Sequence, residues 1–157
     1  MKTLLVSACL LGEKCKYNGG DNALPEKTLC ALRERYRLIP VCPETAGGLP
    51  IPREPAERRG ERVMSQSGRD VTAQYRRGAA YALRLARENA CDTALFKERS
   101  PSCGSGEIYD GSFTHTVVSG DGVAAETIKA AGMIVCCESE IHSLLRETEA
   151  VNEYDSL

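Results

Sequence analysis

The chain carries no excess of either charge: 20 Lys and Arg stand against 22 Asp and Glu, for a formal net charge of −2. That balance excludes the broad positive field used for general nucleic-acid or anionic-membrane binding. The local basic runs ERRGER and YRRG read as solvated surface. No apolar run approaches the roughly 20 residues of a membrane-spanning helix. The opening MKTLLVSACLLG has a lysine and a short apolar stretch, as a secretory leader does. GEKCKYNGGDN follows where a cleavage site would stand, so the stretch reads as a first strand. No internal repeat or low-complexity segment occurs. There is no CxxC pair, which excludes a zinc ribbon or a ferredoxin-type cysteine run. Histidine is scarce, and His115 and His142 both read as surface or packing residues away from the strand ends.

Cysteine, by contrast, is plentiful: positions 9, 15, 30, 42, 91, 103, 136 and 137. This is still well below the density of a small disulfide scaffold. Without a leader the expected compartment is the reducing cytoplasm, where thiols serve metals or catalysis sooner than disulfides. The 157 residues suffice for a single domain, 1–157, with a real core.

Strands and helices alternate along the chain. KTLLVSA (2–8) reads as a buried strand, and 25–36 as a helix with Pro25 in its first turn. RLIPV (37–41) is a second strand. PETAGGLPIPREPAE, with four prolines, reads as a shaped loop with little regular structure, and ERVMS as a small edge strand. The longest helix spans 70–89, capped by Asp70 or Thr72, with Tyr75, Ala79, Leu83 and Ala86 facing inward. DTALFKE (92–98) is a third strand, and EIYDGSFTHTVV a short hairpin around Gly111. A glycine-led helix ending at Gly132, the strand MIVCC and a last helix with Ser139 as cap complete the order; the tail NEYDSL is expected to fray. The alternation argues an α/β domain of the three-layer Rossmann or flavodoxin-like kind, with a mostly parallel sheet.

In such sheets ligands bind outside the carboxyl ends of the strands. Cys9 ends the first strand, Cys42 ends the second, and Cys103 follows the third by one short loop. Cys103 lies among serines, a proline and glycines, where nothing nearby would bury it. Three thiols on one rim suggest a metal or cluster site, or a redox group. Thiolate is soft and suits zinc, cuprous copper or an iron–sulfur cluster. Zinc would want a fourth donor or a water. A 4Fe-4S cluster on three cysteines would leave one iron open as a Lewis acid. Cys30 and Cys91 belong to packed elements and read as core; Cys15 reads as loop packing. Cys136 and Cys137 alternate across a strand, so only one can face the site. GDG (120–122) either presents backbone N–H groups to a ligand or makes a tight turn. Arg53 and Lys97 flank the rim as candidates for a nucleobase oxygen or a phosphate, or as plain exposed charge.

SACLLGEKCKYNGG, CPETAGGLPIPREP, KERSPSCGSGEIYDGSF and GDGVAAETIKAAG, in that order over nearly the whole chain, resemble the small bacterial domain family that includes the thiouracil desulfurases. The combination CPE…GGLP…PR with SPSCG is specific. The resemblance implies a 4Fe-4S cluster on Cys9, Cys42 and Cys103, which aerobic preparation can strip, and non-redox removal of sulfur from a thiocarbonyl. It implies Glu44 and Ser100, with Ser102 beside it, as acid–base candidates. Lys16 and Asn18 stand where Arg and Asp are frequent, and the Cys136–Cys137 tandem where fewer thiols are usual. The expected partner is a small thiolated molecule. The alternative is a cluster- or zinc-binding sulfur carrier or redox module without hydrolytic activity, for which Cys137 is the best persulfide-forming thiol.

Overall fold

The computed structural model describes residues 1–146. Four strands form the main sheet: β1 (Lys2–Ser7), β2 (Tyr36–Val41), β5 (Thr93–Phe96) and β8 (Ile134–Cys137). All pair in parallel, in the order β2-β1-β5-β8. The helices are α1 (Glu26–Arg35), the single turn α2 (Pro43–Ala46), α3 (Thr72–Glu88) and α4 (Val123–Ala130), with a last helix over 141–146. Two small antiparallel hairpins stand apart from the sheet: β3 (Ala56–Arg59) with β4 (Arg62–Ser65), and β6 (Glu107–Tyr109) with β7 (Val117–Ser119).

The strand alternation sorts the core into two faces. Leu5, Val41, Ala94, Phe96 and Val135 pack against Tyr75, Ala79, Ala82 and Ala86 of α3 and Ala124, Ala125 and Ile128 of α4. Leu4, Val6, Leu95 and Cys136 pack on the other side against Leu32 of α1 and Leu144 of the last helix. The result is three layers, the expected Rossmann or flavodoxin-like arrangement. The Tyr36 hydroxyl donates to the Leu144 carbonyl at 2.9 Å and ties the last helix to the start of β2.

Five expectations need correction. The proline-rich segment is not all irregular: Pro43 starts a helical turn, as its fixed φ allows, and Ala56–Arg59 pairs with ERVMS. ERVMS is therefore half of a separate hairpin and not an edge of the main sheet. Cys30 is exposed, on the outer side of α1 opposite Leu29 and Leu32. The last helix is led by a 3-10 turn, Glu138–Glu140, whose cap position is held by Cys137 and not Ser139, and the Glu140 carboxylate accepts from the Cys137 backbone N–H at 3.0 Å. In α3, Gly78 and Ala82 are buried while Leu83 only partly packs on the core. The tail NEYDSL lies outside the described residues.

Gly78 has a clear reason. A Cβ there would sit 1.8 Å from the Pro43 carbonyl oxygen, and one on Gly47 would sit 2.0 Å from the Gln74 carbonyl oxygen. Backbone meets backbone where α2 crosses α3. This contact seats the turn that follows β2 directly on the core.

Candidate active site

The chain changes direction between β1 and β5, the two central strands, one of which leads outward to β2 and the other to β8. A crevice opens at the carboxyl ends of such strands. Here it is a cavity of ≈ 570 Å³ whose wall includes Cys9, Cys15, Cys42 and Cys103 with Glu44, Ser100 and Ser102. Cys9 lies in the 3-10 turn Ala8–Leu11 that continues β1. Cys42 precedes α2. Cys103 lies in the loop between β5 and the second hairpin. The three thiols thus reach one cavity from three separate loops.

Cys103 is buried, at 4% exposure, contrary to the expectation from its polar neighbours. The cause is a tertiary contact. Gly122 brings its backbone against the loop so closely that a Cβ would stand 2.5 Å from the Ser102 carbonyl carbon. The N–H groups at the start of α4 donate to the loop: Val123 to Pro101 O, and Ala124 and Ala125 to Ser102 O, at 2.9–3.1 Å. GDG is therefore a close-packing device, and these donors are engaged by the chain itself. Burial pushes the Cys103 thiol up to about 12, against a hydrogen bond from Ser7 that pulls it down. Burial also raises Cys9, against a hydrogen bond from the Asn22 side chain. Cys42 differs. A hydrogen bond from the Cys15 side chain, aided by Thr45, draws it down to about 6 against burial. Cys15 is correspondingly raised, chiefly by its contact with Cys42, whose thiol lies 3.9 Å from the Cys15 carbonyl.

Glu44 is the hub of the polar wall. Its Oε1 accepts from Arg53 Nε at 3.1 Å, and its Oε2 accepts from Ser102 Oγ at 2.8 Å. The Tyr75 hydroxyl also bonds it, and burial with this carboxylate holds the Tyr75 phenol well above its ordinary range. Arg53 is 7% exposed and fully engaged, since its Nη1 and Nη2 donate to the Pro50 and Cys15 carbonyls. It is a buried strut for Glu44, not a free cation at the rim. Lys97 pairs with Glu138 at 3.2 Å.

The serines form a directed chain. Ser102 Oγ has one proton, and the shortest acceptor is Glu44. Ser100 Oγ, 3.0 Å away, must then donate to Ser102. Ser100 Oγ in turn accepts from the N–H groups of Ser102 and Cys103, each at 3.1 Å. The hydroxyl order is Ser100 to Ser102 to Glu44.

Sequence reasoning missed one wall. His115 lines the cavity, with Tyr109 and Phe113, because the β6–β7 hairpin folds back over the strand ends. The Glu57 carboxylate holds it there by accepting from Gly111 N at 3.0 Å and Phe113 N at 3.1 Å. The available signal was two aromatic rings and a histidine at alternate positions of a polar loop. His142 is exposed and away from the cavity. Neither Cys136 nor Cys137 reaches it: Cys136 is in the opposite core face, and Cys137 bonds Ser139 and Glu140. Burial, with its carboxylate neighbours, pushes the Cys137 thiol up to about 11, which disfavours it as a sulfur carrier.

The family model of the 2-thiouracil desulfurases matches residues 4–140. The chain belongs to this family. It is 41% identical over 152 residues to the uncharacterized protein YbbK of Bacillus subtilis (strain 168), covering 90% of this chain and 99% of that one. Its fold superposes on the structure of a 4Fe-4S-dependent thiouracil desulfidase, TudS, with a TM-score of 0.90 and 42% identity. That match covers 96% of this chain and 99% of the other. No described helix is long and apolar enough to cross a membrane.

Proposed function

We propose that this family member removes sulfur from the thiocarbonyl group of a small thiolated nucleobase, hydrolytically, with a 4Fe-4S cluster held by Cys9, Cys42 and Cys103. The observation that carries the reading is the convergence of these three thiols and Glu44 on one cavity at the switch between β1 and β5. The donor set fits the group. Three thiols are soft ligands, and they reach one cavity from three separate loops. Among the described residues no three Cys, His, Asp or Glu side chains close around one point as they would around a single zinc ion. All eight cysteines are free thiols, in keeping with a cytoplasmic setting.

When bound, the cluster supplies a Lewis-acidic iron for the soft thiocarbonyl sulfur. The chain does the rest. Overall C=S and water become C=O and hydrogen sulfide, with no electron transferred. Water gives up one proton as it adds to the thiocarbonyl carbon and its second as the carbonyl forms, and the departing sulfur gains both. Glu44 takes the first proton at its carboxylate, which Arg53 orients through Oε1. Ser102, donating to Oε2, keeps that oxygen aimed, Ser100, donating in turn to Ser102, fixes the direction of that bond, and Glu44 itself returns its proton to the departing sulfur. Tyr75 closes the apolar side behind Glu44.

The test is sulfide and oxo-product formation from thiouracil by anaerobically purified protein, with iron content measured alongside. Cys103→Ser is expected to lose both iron and activity. Cys30→Ser, on the exposed side of α1, is expected to keep both. Equal iron in the two variants would overturn the ligand assignment. Intact iron with no turnover of any thiolated pyrimidine by the wild type would favour the carrier.

A further inference from the structure

The second hairpin closes the cavity with a wall of unusual construction. Phe113 and His115 both hold positive φ, 58° and 59°, which costs a bulky residue of order 1 kcal/mol or more. The residues between and around them hold the loop from outside: Ser112, Thr114 and Thr116 hydroxyls run in a ladder with 2.6 and 2.8 Å spacings, started by Asp110. Glu57 pins the inside by accepting from two backbone N–H groups. With hydroxyls at even positions fixed outward, the odd positions give their rings to the cavity. Tyr109 and His115 meet edge to face, centroids 5.8 Å apart, so each fixes the other's plane. Strained backbone and doubled anchoring together present flat side chains to the cavity.

We infer that Phe113, flanked by Tyr109 and His115, is the stacking platform that selects a planar heterocyclic thioamide over an acyclic one. The inference rests on the desulfurase reading for its substrate class and adds the residues that choose within it. The same cavity carries the thiols and Glu44, so a ring lying on the hairpin shares its space with the reactive groups. Stacking is tolerant of which base is present, because every base has a π-face. The wall therefore discriminates by the extent of the ring's π-face, not by hydrogen-bond pattern.

The experiment uses the cluster-loaded enzyme and Phe113→Asn, which accepts a positive φ while removing the ring. Phe113→Tyr restores a ring. The Phe113→Asn variant is expected to keep iron and its kcat within about two-fold, while KM for thiouracil rises about 5- to 100-fold, the usual worth of one base stack. Phe113→Tyr is expected to bring KM back within about three-fold. Selectivity for thiouracil over thioacetamide, read as the ratio of inhibition constants for the oxo products uracil and acetamide, should fall by a like factor. Unchanged KM and unchanged inhibition in Phe113→Asn would overturn the inference and leave the desulfurase reading standing. If the wild type turns over no thiopyrimidine, that reading fails separately, and calorimetric uracil binding decides the platform. Binding that Phe113→Asn loses and Phe113→Tyr keeps supports it, and no uracil binding by the wild type overturns it.

Discussion

Glu44 has both carboxylate oxygens engaged, which makes the amide the most informative replacement. In Glu44→Gln the amide oxygen would stay toward Arg53 Nε, because a guanidinium cannot accept. The amide NH2 would then meet Ser102 Oγ, and Ser102, still receiving the Ser100 proton, would turn its own proton to Cys103 Sγ, 3.6 Å away. The end of the hydroxyl chain is redirected although no volume changes. Glu44→Gln is expected to retain iron and sulfide but lose about two to four orders of magnitude in turnover, the usual worth of general acid–base catalysis. Full activity would remove Glu44 from the proton path. The residues of this wall were legible in part. Cys9, Cys42, Cys103 and Glu44 could be placed because each follows a strand, and strand ends are readable from apolar runs. The burial of Cys103 could not be, since it comes from Gly122, far along the chain, pressing on a polar loop. Cys30 is the opposite case: its place on a helix suggests packing, yet it falls on the outer side. The engaged state of Arg53 was equally invisible, because its partners are two backbone carbonyls and a carboxylate.

Among the elements, α2 is only one turn long, and its placement depends on α3 more than on its own sequence. At Gly78→Ala the new Cβ would lie 1.8 Å from the Pro43 carbonyl oxygen and 2.6 Å from its carbon, both rigid backbone. The turn must move out, taking Cys42 and Glu44 with it. The expected result is a loss of about 1–3 kcal/mol in urea unfolding, from overpacking set against the usual helix gain of Ala over Gly. Iron content should fall in the same sample, which a merely less stable helix would not cause. The main strands and long helices were readable because their periodicities persist over enough residues. The first hairpin was not: Ala56–Arg59 has no apolar alternation, and its pairing with Arg62–Ser65 is decided by Val63 and Ser65 being buried against the body. The second hairpin was legible as a hairpin but not as a wall. Its position over the cavity is set by Glu57, which comes much earlier in the chain.

For the molecule as a whole, the proposed ligands come from loops after three different strands of one sheet. A group bound only when those strands are assembled stabilises the folded state by mass action. Anaerobically loaded wild type is expected to melt about 5–10 °C above its stripped form, a shift of a few kcal/mol for a chain of this size. In Cys103→Ser the gap should close. A wild type that melts at the same temperature with and without iron would contradict the assignment.

The spacing of those loops along the chain also dictates a chronology. Where cysteines sit two residues apart, a short peptide leaving the ribosome can already grasp a cluster. Here a nascent chain that has emerged only through Val41 offers one of the three proposed ligands, and the last arrives after β5. Even then Cys103 is positioned only once Gly122 and the start of α4 have closed on its loop. A cluster on these three thiols would thus be loaded onto a finished fold, into a cavity already formed.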